Sequence, residues 1–156
     1  MPANSFSLAP EDERKLAASL FNRVWTLLEQ PDRSVGDDDV MVHVAHASAY
    51  HWGVVGGPVQ WARAEWQCSR VYAVLGRFEP ALHHAGRCLA LAAEHGLGPF
   101  DIGAAHEAMA RSYLVTGDTA QAAEHAALGR AEAARIDDAE DRAVLDEDLA
   151  SLGLAG

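Results

Sequence analysis

The sequence predicts an all-α protein: stacked antiparallel helical hairpins, about three of them, closed by a C-terminal capping helix, in one domain spanning residues 1–156. Three observations carry this. The stretch from Ala64 to Ala93 is written again 41 residues later, with Ala64, Arg70, Tyr72, Val74, Gly76, Ala81, His84, Ala85, Ala90, Ala92 and Ala93 falling on Ala105, Arg111, Tyr113, Val115, Gly117, Ala122, His125, Ala126, Ala131, Ala133 and Ala134. Both copies read as helix, short turn, helix. No segment alternates polar and apolar residues with period two, so no strand is expected. Eleven identities in thirty positions exceed what an alanine-rich composition supplies by chance. A repeat of this length signals hairpins that share a continuous core.

Each element follows from local signals. Residues 1–9 form a polar lead-in, expected to be flexible. Pro10 suits a first helical position, and Glu11, Asp12 and Glu13 sit on the positive end of the helix dipole. Leu16, Leu20, Val24 and Leu27 recur at helical spacing to about Gln30, where Pro31 ends the element. After a turn to Gly36, Asp37, Asp38 and Asp39 supply the cap and acidic first turn of a second helix, Asp38 to about Trp52. Gly53, Gly56, Gly57 and Pro58 break the chain. A third helix runs from Pro58 to Leu75, with Gly76 as a left-handed cap. The fourth begins near Glu79 and Pro80 and reaches about Glu94, stopped by Gly96, Gly98 and Pro99. Asp101 caps the fifth, which ends at Thr116 and Gly117. Asp118 or Thr119 caps the sixth, through to about Ile136. A final acidic helix, Asp138 to Leu152, carries Val144, Leu145, Leu149 and Leu152 as its apolar stripe. The clearest repeats cover residues 60–98 and 101–136.

A length of 156 residues suits one domain with a real core. Twelve basic against 23 acidic residues give a formal charge of −11, which argues against nucleic acid as a partner. The charge is uneven. Pro58–Ala90 holds Arg63, Arg70, Arg77 and Arg87 against Glu65 and Glu79, whereas Ala131–Asp148 holds two arginines against eight carboxylates. Cys68 and Cys88 lie in helical patterns among apolar neighbours; buried free thiols fit a reducing compartment. No secretory signal and no apolar run of about 20 residues is visible, so a cytoplasmic protein with no membrane partner is expected.

The repeated residues resemble a known skeleton. Tyr72, Gly76, Phe78, Ala81, Ala85 and Cys88 look like the Y–x3–G–x–F/Y–x2–A–x3–A–x2–A pattern of a tetratricopeptide repeat, and Tyr113, Gly117, Ala122 and Ala126 resemble it again. The spacing departs from the family's, as do Glu65 and His106 at its tryptophan position and Gly129 at its last small position. The resemblance covers roughly residues 60–136. It implies a scaffold that binds peptides, proteins or small ligands along its inner face, with no reaction and no cofactor.

Two functional readings follow. In the first, the chain is a non-enzymatic adaptor that grips a protein or peptide partner on the face formed by its first, third and fifth helices. Arg63, Arg70 and Arg111, with Trp61 and Trp66, are the expected contacts, and an acidic ligand would suit them. The open ends of a short repeat array also make a homodimer an expectation. In the second, Glu65 and His106 occupy one repeat position that should point into the packing between hairpins, with His46 and His51 one helix away. Ionisable side chains there are costly unless paired. They either form a structural Glu–His pair that fixes register, or hold a divalent metal or small polar ligand, with hydrolysis by an activated water as the chemistry. Against the metal, His43 and His51 stand about 12 Å apart along their helix, and no H–x3–H chelating pair exists. His84 and His125, at equivalent repeat positions, read as ordinary surface residues. Nothing in the sequence signals nucleotide or phosphate chemistry.

Overall fold

The computed structural model describes residues 7–155. Residues 1–6 of the lead-in lie outside that part. Among the described residues seven helices follow one another without a strand: α1 (Pro10–Glu29), α2 (Val35–Val55), α3 (Pro58–Val74), α4 (Phe78–Glu94), α5 (Pro99–Thr116), α6 (Thr119–Ala133) and α7 (Ala139–Ala150). α1 pairs with α2, α3 with α4, and α5 with α6; α7 lies against α5 and α6. α3 touches both α1 and α5, so the first helices of the three hairpins form an inner layer. Each second helix also packs on the first helix of the next hairpin, α2 on α3 and α4 on α5.

The helix starts show where local chemistry was read wrongly. α2 begins three residues early. Ser34 is its cap, and the Asp37 backbone N–H donates to Ser34 Oγ while Ser34 N–H donates to the Asp37 carboxylate at 2.8 Å. That is a capping box, in which Asp37 is the third helical residue rather than the cap. α5 is capped by Gly98 with Pro99 at its first position, and Asp101 is left free to pair elsewhere. Asp118 and Asp138 cap α6 and α7 as their composition indicates. α6 stops at Ala133, short of Ile136.

The repeated turn is the same object twice. Gly76 and Gly117 sit at φ +70° and +77°, a region closed to most side chains. In both copies the N–H after the glycine donates back to the tyrosine carbonyl, Arg77 to Tyr72 at 2.9 Å and Asp118 to Tyr113 at 3.2 Å. This six-to-one bond defines a Schellman end and reverses the chain tightly enough for the next helix to lie alongside. Ala81, Ala85, Ala122 and Ala126 are fully buried, and their methyl groups let the paired helices close up.

The core falls into three clusters along the stack. Val24, Leu27, Met41, Ala45, Cys68 and Val71 join the first hairpin to α3. Ala62, Cys88 and Ala105 join the second hairpin to α5. At the C-terminal end Leu145 and Leu149 of α7, with Leu152 in the turn after it, cover Ala110, Ala126 and Ala133. Two glycines make room for them. A Cβ on Gly103 would stand 2.5 Å from a Leu145 methyl, and one on Gly129 would stand 3.0 Å from a Leu149 methyl. Gly129 departs from the repeat skeleton because a helix sits on it. No helix among the described residues is long and apolar enough to cross a membrane.

Candidate functional site

The inner layer carries a charged and aromatic stripe built by helical spacing. Arg63, Trp66 and Arg70 recur every three or four residues on α3, so they share a face. Phe100, Asp101, Ala104, Glu107 and Arg111 do the same on α5. Arg63 Nε donates to Asp101 Oδ1 at 2.7 Å, and its guanidinium stands 5.3 Å from the Phe100 ring centre. Trp66 packs at 5.6 Å against Trp25 of α1, and the Arg70 guanidinium lies 5.0 Å from the Trp66 ring.

Glu107 is the centre of this face and is wholly buried. Its carboxylate accepts from Arg111 Nε at 2.6 Å, from Arg70 Nη2 at 3.3 Å and from Trp66 Nε1 at 3.4 Å. α7 completes the network: Asp148 Oδ1 lies 3.1 Å from Arg70 Nη2, and Arg111 Nη2 donates to Ser151 Oγ at 2.7 Å. Burial opposes the charge on Arg70, but Glu107 and Asp148 outweigh it and hold the guanidinium above its ordinary range. Arg70 Nε and Gln67 Oε1 are left without hydrogen-bond partners in this region of α3.

The arginines expected to meet an acidic ligand are therefore engaged internally, Arg63 by Asp101 and the other two by Glu107 and α7. What stays open is mainly apolar. A cavity of about 200 Å³ lies between α1, α3, α5 and α7. Phe21 and Trp25 line it from α1, Ala62, Arg63 and Trp66 from α3, Cys88 from α4, Phe100, Asp101 and Ala104 from α5, and Val144, Leu145 and Asp148 from α7. Burial pushes the Cys88 thiol up to about 12, so it is an apolar wall rather than a nucleophile. Trp61 faces elsewhere. Its Nε1 donates to the Trp52 carbonyl at 3.1 Å and its ring meets His95 edge-on, which fastens the α2–α3 junction to the end of α4.

The histidines follow a different plan from the one expected. Glu65 and His106 do not converge; each pairs inside its own hairpin with the residue 19 positions later. His84 Nδ1 lies 2.6 Å from Glu65 Oε2, and His106 Nδ1 lies 3.0 Å from His125 Nδ1. Tyr72 stacks on His84 and Tyr113 on His125, with planes 5° and 16° apart. His46 Nε2 is 2.8 Å from the Tyr72 hydroxyl, while His51 Nδ1 goes to Glu13 at 3.0 Å. Among the described residues no three His, Cys, Asp or Glu side chains are grouped to hold a metal. His51 pairs with Glu13 and His106 with His125, whereas His46, bonded to Tyr72, also meets the ring of His84, the partner of Glu65, at 5.2 Å.

Sequence reasoning missed His84 and His125 as partners, although their shared offset from Glu65 and His106 was a usable signal. It also missed Phe21, Trp25, Phe100, Glu107 and Asp148, because which face of each helix looks inward is set by the stacking. Against known protein families, curated proteins and solved structures, this chain finds no match.

Proposed function

We propose that the protein is a non-catalytic, tetratricopeptide-like binding module whose inner face takes an apolar side chain presented by a peptide or protein partner. The observation that carries this is the cavity. All three inner helices contribute to it, and α7 forms its fourth side. Concave sites lined by aromatic and aliphatic side chains with a few oriented polar groups are how proteins seat such anchors. The Arg63–Asp101 pair at the cavity supplies a donor and an acceptor for the ligand's backbone. Two free, buried thiols at Cys68 and Cys88 suit a reducing, cytoplasmic setting.

The test is a random peptide library displayed against the folded chain, read in parallel on Ala104→Trp, which fills the cavity from α5. Peptides enriched on the parent should carry an aromatic or branched aliphatic anchor. They should bind the filled variant at least about tenfold more weakly, the loss typical of a buried anchor. An absence of enrichment, or equal binding to both proteins, would overturn the reading.

A further inference from the structure

The outer side of α2 stands apart from the rest of the molecule in its charge. From Val40 to Ala62 the chain contains no Asp, Glu, Lys or Arg, a run of 23 residues in a protein of formal charge −11. Met41, Ala45 and Ser48 of α2 turn to the core. At 100° per residue, Val40, His43, Ala47, Tyr50 and Val54 fall within an arc of about 80° on the opposite side. Val40 is 45% exposed, Tyr50 69% and Val54 55%. α1 and α3 pack on α2 and leave Val40, His43, Tyr50 and Val54 exposed, with Ala47 half-buried between them.

The order of the stripe identifies its occupant. Measured from Ala47, a valine stands seven residues back and another seven residues on, with a ring four back and a ring three on. The pattern reads nearly the same in both directions. A two-fold interface requires this self-complementarity, because whatever residue i meets, j must meet in return. Laid antiparallel across itself at Ala47, α2 sets Val40 against the partner's Val54, His43 against the partner's Tyr50, and Ala47 against its own copy. A small residue at the crossing lets two helix axes approach to about 8 Å. Two copies of so acidic a chain repel over most of their surface, and an uncharged stripe removes that cost where they touch.

We propose that α2 packs on α2 of a second copy to form an antiparallel two-fold dimer, leaving the inner cavity of each copy free. A single helix face of 21 residues makes a contact at the small end of the range, so the dimer dissociates on dilution.

Sedimentation velocity across a dilution series tests it. The parent should rise from 16.7 kDa toward twice that mass as concentration increases. Val54→Glu, an exposed change that leaves the fold's core untouched, should stay at the monomer mass throughout while its helical circular dichroism matches the parent's. Independently of any weakening, Ala47→Cys at the two-fold should give a disulfide-linked dimer on treatment with diamide. Val35→Cys, exposed but off the stripe, should not, and Cys68 and Cys88 are buried. A parent that is monomeric at every concentration would overturn the proposal, and so would a dimer that Val54→Glu leaves intact. Cross-linking of the Val35→Cys variant in place of the Ala47→Cys variant would put the contact elsewhere and overturn it as well.

Discussion

The His106–His125 pair shows how much a single proton can decide. Two imidazole nitrogens 3.0 Å apart need one of them bare, so the pair accommodates at most one extra proton comfortably. Burial lowers the pKa of both rings, and each ring's charge would oppose the other's; Glu132 near His106 and Glu124 near His125 only partly offset this. The sign follows from the reference state. Above the ordinary histidine value of 6.5 both folded and unfolded chains hold neutral rings, and the full stability is present. As pH falls below that value the unfolded chain takes up protons that the folded hairpin resists, and stability is lost. Melting temperature should therefore fall between about pH 7.5 and pH 5.5, and His125→Phe should lose part of that drop. An equal drop in parent and variant would show that the pair is not its source. In the other copy the equivalent contact is made by a carboxylate, with Glu65 Oε2 2.6 Å from His84 Nδ1.

At the scale of elements, the repeat alanines are the joints. Ala81 and Ala122 are fully buried where paired helices meet, so Ala81→Leu or Ala122→Leu should cost about 1–3 kcal/mol by overpacking, read from urea unfolding. Melts within error of the parent would mean that these methyls do not bear on a neighbouring helix. Helices and turns were legible because their signals are local: Gly76 at a left-handed end, Gly117 at a helix stop, Pro10 and Pro58 at a first turn, Asp118 as a cap. One capping error was local and one was not. Ser34 competes with three aspartates and wins because its hydroxyl and Asp37 satisfy each other's backbone N–H groups. Asp101 was misread because its partner, Arg63, lies 38 residues away. The candidate site was legible only in part for that reason. Arg63, Arg70, Arg111 and Trp66 were identifiable as a face, but their engagement by Glu107 and α7 depends on how the hairpins stack.

For the whole molecule, Glu107 links what the chain keeps far apart. It reaches α3 through Arg70 and Trp66, and α7 through the arginines it shares with Asp148 and Ser151. Removing it as Glu107→Ala leaves two guanidiniums in a buried setting with one carboxylate between them, a change worth about 3–5 kcal/mol. Glu107→Gln keeps an acceptor for Trp66 and Arg111 and should lose less. Denaturant midpoints of the two variants check this, and equal losses would show that the negative charge, rather than the hydrogen bonds, holds the helices together. The uneven charge along the sequence also finds its place here: the acidic C-terminal segment folds back over the arginine-bearing middle.

The seat of α7 also determines where such a chain can be lengthened. Leu145 and Leu149 occupy the hollows over Gly103 and Gly129, so a hairpin appended after α6 would find its docking surface taken. The second hairpin carries Ala62 and Cys88 at the matching positions and receives α5 there instead. A duplicate of residues 58–98, one full 41-residue period, inserted after Gly98 would meet a compatible neighbour on both sides. The array would then grow from its middle, each added unit extending the inner groove by about 10 Å while both end caps stay in use.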